Sequence, residues 1–87
     1  MFEAASRDSS VIVKVGRGGD TLSIQLEPRA MDLTPPDLAN RIVRLNTLAY
    51  LKSQLALRLE MEQNRSQVTI PLPTEAQVEA YAATIDF

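Results

Sequence analysis

The chain is 87 residues long, with a formal net charge of −2, 45% hydrophobic residues and 23% charged residues. That bounds one small domain with ordinary apolar content, one that buries a modest share of its surface, and the slight acidity excludes a broad basic footprint for nucleic acid. The absence of Cys and His excludes disulfides, thiolate metal sites and the commonest general base, while 5% aromatics without Trp leave few platforms for stacking bases.

Residues 1–8 mix small, polar and charged types and read as a flexible arm, or at most one helical turn. The stretch Met1-Phe2-Glu3-Ala4-Ala5-Ser6-Arg7 has no signal-peptide core. Val11-Ile12-Val13-Lys14-Val15 is β-branched and strand-like. Gly16-Arg17-Gly18-Gly19-Asp20 supplies the glycines that a hairpin connection favours. Leu22, Ile24 and Leu26 then alternate with Thr21, Ser23, Gln25 and Glu27, which predicts a strand with one dry and one wet face. Residues 9–27 are thus expected to form an antiparallel β-hairpin.

Pro28 ends the second strand, and Arg29 to Leu33 is a connector with room for a helical turn at Ala30-Met31. Thr34 is a good N-cap, Pro35 suits the first helical position, and Asp37 sets a carboxylate against the helix dipole. Leu33 and Leu38 occupy the positions of a hydrophobic staple. From there to Gln63 there is neither Gly nor Pro after Pro36, which predicts a helix over 34–63 of roughly 40 Å. No apolar run approaches the roughly 20 residues of a membrane span, so a soluble, cytoplasmic protein is expected.

Leu38, Ile42, Leu45, Ala49, Ala56 and Leu59 form one stripe of that helix, with Leu48 and Leu55 on its flank. Val43, Tyr50, Leu57 and Met61 lie outside it, and Leu51 interrupts the polar face of Asn40, Thr47, Gln54 and Arg58. A two-stranded sheet cannot cover all of this. A second copy of the chain is the simplest further cover, so a homodimer is expected; the alternative is that the C-terminal segment folds back over the helix.

Residues 64–67 break the helix, and Val68-Thr69-Ile70 is read as a third short strand or an extended strap. Thr74 is a second N-cap with Gln77 at the capping-box position. Val78, Tyr81, Ala82 and Ile85 recur at helical spacing and predict a short amphipathic helix. The whole, residues 1–87, is one α+β domain: a hairpin on a long helix, then a C-terminal strap and short helix over 64–87.

Little here carries reaction chemistry. Gly16-Arg17-Gly18-Gly19 lacks nucleotide-loop spacing and precedes a strand, so it reads as a turn. Asp8, Asp20, Asp32 and Asp37 have no metal-ligand spacing. Glu60 and Glu62 point to different sides of a helix. Ser9 and Ser10 have no His to activate them. No enzyme, metal or cofactor is expected. Arg41 and Arg44, three apart on the helix, form with Lys14 and Arg17 a candidate anion or nucleic-acid set, against the reading that they are a solvated face whose stems cover apolar surface.

A hairpin with a Gly-rich turn, a Leu-Glu-Pro exit, an acidic-capped start and a long helix resembles the YbaB/EbfC-like fold over residues 10–63. That resemblance implies a homodimeric nucleoid-associated protein. Ser10-Val11-Ile12-Val13, Leu33-Thr34-Pro35-Pro36-Asp37-Leu38-Ala39 and Leu72-Pro73-Thr74-Glu75-Ala76-Gln77-Val78-Glu79-Ala80 together are similar to the EspH-type group of mycobacterial type VII secretion-associated proteins. The chain lacks that group's long acidic N-terminal extension, so no role of the extension is carried over. This second resemblance implies a non-enzymatic, chaperone-like dimer that binds secreted substrates or secretion-accessory proteins. Leu48, Tyr50, Leu51, Leu55 and Leu57 are the expected protein interface. DNA binding through Lys14, Arg17, Arg41 and Arg44 is the alternative.

Overall fold

The structure, a computed structural model, describes residues 1–65 and 70–87. Three strands, β1 (Phe2–Ala5), β2 (Val11–Val15) and β3 (Thr21–Leu26), form an antiparallel sheet in the order β1-β2-β3. A short 3₁₀ turn at Pro28–Asp32 leads into the long helix α1 (Pro35–Gln63), and α2 (Glu75–Ala82) follows it. The α+β class and the long-helix, short-helix order agree with the sequence.

Residues 1–8 are not a flexible arm. Phe2 to Ala5 pair with Val15 to Ile12 in register. The connecting turn is closed by the Ser6 amide donating to the Val11 carbonyl at 2.9 Å. The Asp8 carboxylate accepts from the Ser6 hydroxyl at 2.8 Å and from the Ser10 amide at 3.0 Å. Ser9 adopts a φ of 59° there. Local propensity for a strand is weak in this segment. It takes strand form because β2 offers a second, unused row of backbone groups that water would otherwise have to satisfy.

The expected third strand at Val68-Thr69-Ile70 falls on residues outside the described ones, save Ile70, which is an exposed bend.

Cross-strand pairing aligns Ala4, Val13 and Ile24 on one face, with Val11 opposite Leu26 and Phe2 opposite Val15. Helix α1 packs on this face over β1 and β2. Val11, Val13, Val15, Leu45 and Ala49 are fully enclosed between them. The helix starts as its sequence dictates: Thr34 is extended, its hydroxyl accepts from the Asp37 amide, and prolines occupy the first turn. Its 29 residues span about 43 Å, so its C-terminal end overhangs a sheet of four- to six-residue strands.

Helix α2 is set by the Thr74–Gln77 capping box, with both reciprocal hydrogen bonds present at 3.2 and 2.9 Å. Val78 and Ile85 are buried, and Tyr81 and Ala82 pack against the same core. This realises the fold-back reading along one flank of α1. Arg44, Leu48, Leu51, Leu55 and Arg58 follow one another at steps of four, three, four and three, which makes them one stripe. Both ends of that stripe reach the C-terminal segment: Arg44 donates to the Thr84 carbonyl and Arg58 to the Leu72 carbonyl at 2.9 Å.

The dry face expected of the second strand is not dry. All six residues of β3 are exposed, with Leu22 at 54%, Ile24 at 44% and Leu26 at 41%. The cause is the added strand: with β1 joined to the sheet, the helix is centred over β1 and β2 and leaves β3 outside its shadow.

Candidate apolar docking site

Among the described residues, exposed apolar side chains gather on a shelf formed by β3 and the adjoining flank of α1. Two contacts fix how they adjoin. The Thr21 hydroxyl donates to Asn46 Oδ1 at 2.7 Å. Gly19, with φ of +87°, brings its backbone so close to the Tyr50 ring that an added Cβ would lie 2.8 Å from a ring carbon. Val43, Asn46 and Tyr50 succeed one another on that flank at helical spacing. Val43 is 62% exposed and Tyr50 44%. With Leu22, Ile24 and Leu26 the exposed apolar area is on the order of 400 Å², within the range of the largest patch on an ordinary monomer, which often has a function.

The expected interface residues divide between the two flanks of α1. Leu48 is buried, and Leu51 and Leu55 are half-buried against the core on the flank bound by the C-terminal segment. Leu48 belongs to the core of the protomer, and Leu51 and Leu55 pack against it while keeping part of their surface uncovered. Tyr50 and Leu57 are exposed on the opposite side. The residues missed by sequence reasoning are Leu22, Ile24 and Leu26. Their alternation was visible, but it marks a face without saying what covers it.

The four candidate nucleic-acid residues do not come together. Lys14 lies on the open face of the sheet between Glu3 and Ser23. Arg17 makes a two-pronged contact with the Glu60 carboxylate at 2.6 and 2.7 Å. Arg41 and Arg44 both stack on the Phe87 ring, at 4.9 and 5.1 Å from its centroid, and Arg44 also pairs with Asp86 at 3.5 Å. Acidic or aromatic groups of the same chain therefore engage three of the four.

No family model, curated protein or solved structure matches the chain.

A second concavity of about 420 Å³ lies under the overhanging end of α1. Met1, Phe2, Ala56 and Leu57 line it, with the Arg17–Glu60 pair at its rim. A shallower one of about 390 Å³ lies where Tyr50, Leu51 and Gln54 meet Pro71 to Pro73. The Asp8 carboxylate is held well below its ordinary range. Its causes are the Ser10 amide first, then the Ser10 and Ser6 hydroxyls, with a smaller part from Arg29. It belongs to the β1–β2 turn and to no cleft. Among the described residues, no group of three or more His, Cys, Asp or Glu is arranged to hold a metal ion, and no helix is long and apolar enough to cross a membrane. What the arrangement offers chemically is apolar contact area beside an unpaired strand edge.

Proposed function

We propose that this chain is a non-enzymatic, dimeric protein that binds partner proteins in the cytosol through the β3–α1 shelf. The observation that carries this reading is the joint exposure of Leu22, Ile24 and Leu26 beside Val43 and Tyr50. A small domain that leaves the apolar side of a whole strand in water gains about 25 cal/mol for each Å² that a partner covers. The setting, type VII secretion in an EspH-like role, comes from the resemblance of the Leu33–Ala39 and Leu72–Ala80 segments. Recognition would centre on the shelf side chains and on the Tyr50 and Leu57 flank. The dispersal of Lys14, Arg17, Arg41 and Arg44 favours protein docking over the nucleoid alternative, because phosphate binding needs cations that converge on one surface.

The test is a pull-down from native lysate with the parent chain beside a Val43→Asp/Ile24→Lys variant. The expected result is a secretion-related protein retained by the parent and lost by the variant. Recovery of the same proteins by both, or of none related to secretion, counts against the reading. A gel-shift titration with duplex DNA should show no salt-dependent complex.

A further inference from the structure

The two outer edges of the sheet differ in kind. Beside β1 the chain's own groups reach the outer edge: Lys52 Nζ donates to the Glu3 carbonyl at 2.9 Å, and just beyond the strand the Arg7 amide donates to the Phe87 carbonyl at 2.8 Å. On β3 the phase can be read from the Glu27 amide, which donates inward to Ser10 at 2.8 Å. Successive residues of a strand alternate in direction, so Gln25 and Ser23 also face β2, and Ile24 and Leu26 present their N–H and C=O groups outward. Among the described residues none of those outward groups has a partner in this chain. The strand carries no charge and no Pro between Thr21 and Leu26, the devices that normally blunt an edge. Its one irregularity, opposite Lys14 and Val15, lies at the hairpin end and leaves Ser23 to Leu26 regular.

We propose that β3 is a self-pairing edge, where two copies of the chain join antiparallel about a two-fold axis at Ile24 to make one six-stranded sheet. This rests on the dimeric reading above and gives it a seam. Two independent features select the same alignment. Ile24 faces outward with its backbone, so Ile24 of each copy can exchange both hydrogen bonds with Ile24 of the other. The same alignment sets Ser23 opposite Gln25 of the other copy, so that Ile24 and Leu26 of both copies fall on the helix face, with Leu22, the extra residue of the irregularity, at the end of the seam. A slip of one residue would place Leu22 and Ile24 opposite Ser23 and Gln25, on the wrong side of the sheet. Pro28, the next outward position after Leu26, has no N–H and ends the ladder there.

The pairing also shapes the shelf. Strands lie about 4.8 Å apart, and α1 sits over β1 and β2, so the two α1 helices would stand about 19 Å apart. That is twice the 8–10 Å spacing of packed helices. A trough one helix wide results, floored by Ile24 and Leu26 of both copies and walled by Val43 and Tyr50.

The chain has no Cys, so single-cysteine variants report the seam cleanly. A hydrogen-bonded pair holds its Cα atoms about 5.5 Å apart, within disulfide reach. Under mild oxidation Ile24→Cys should become a covalent dimer, and Glu3→Cys and Leu57→Cys should not. Ile24→Lys should weaken the dimer at least about tenfold in sedimentation. Its unfolding curve at low concentration should be unchanged, since Ile24 is exposed. If the parent sediments as a dimer but Glu3→Cys or Leu57→Cys cross-links and Ile24→Cys does not, the seam is overturned and the dimer stands. If the parent is a 9.6 kDa monomer across the micromolar range, both fail.

Discussion

Two residues hold the turns on which the sheet depends, and both give sharp tests. Gly19 sits at φ of +87° against the Tyr50 ring. An alanine there meets an unfavourable backbone region and a ring carbon together. Gly19→Ala should cost about 1 kcal/mol or more, a fall in Tm of roughly 4–8 °C for a domain of this size. Adding Tyr50→Ala should recover only the share due to the ring, because the backbone conformation is unchanged. Asp8 accepts bonds from Ser10 and Ser6 that favour its charged form and hold it below its ordinary value of 3.8. A depressed carboxylate contributes stability that is present above 3.8 and is lost as pH falls toward its folded value. Asp8→Asn should therefore be less stable than the parent at neutral pH, and the gap should narrow below about pH 4. Denaturant melts at pH 7 and near pH 3 measure this; an equal gap at both would mean that the charge is not what the turn uses.

Among the elements, α2 is the one whose attachment rests on identifiable local chemistry. Its capping box satisfies two amides at once, and it is only eight residues long, too short for a helix to persist without packing. Thr74→Ala should cost about 1 kcal/mol. That loss should appear first as faster amide exchange in α2, with β2 amides little changed. Leu45→Ala acts on the opposite extreme, a fully enclosed side chain between α1 and the sheet. It should cost about 2–5 kcal/mol and raise exchange everywhere, because the core is shared. These elements also show what a sequence can convey. Both caps of α1 and α2 were legible because Thr34 and Thr74 act within their own first turns. The β2–β3 hairpin was legible through its glycines and its alternation. Strand β1 was not, since Phe2-Glu3-Ala4-Ala5 has no β-branched residue and owes its form to pairing across the turn at Ser6–Ser10. The division of the α1 leucines was equally hidden. The wheel sets Leu48 on the flank of the main stripe and Leu57 outside it, yet it does not show that the C-terminal segment packs along the first flank and leaves the second exposed.

At the scale of the molecule, the consequence of this arrangement is a polarity between the two sides of α1. One flank is closed by α2, Leu72 and the Arg44–Thr84 contact; the other opens onto β3. A protomer alone presents only half a channel, since Leu22, Ile24 and Leu26 have a helix wall on one side and a bare strand edge on the other. Joining two copies at Ile24 completes the second wall with the same residues. Because the resulting trough lies on the two-fold axis and is one helix wide, it can hold one asymmetric partner helix and no more. Native mass measurement of a captured complex should therefore give two copies of this chain per partner. Two partners per dimer would mean that each shelf works separately and that the trough is not the binding unit. The same measurement on Ile24→Lys should show loss of the 2:1 species even at concentrations where the variant is folded. A surviving 1:1 complex would show instead that the flank of Val43 and Tyr50 suffices by itself.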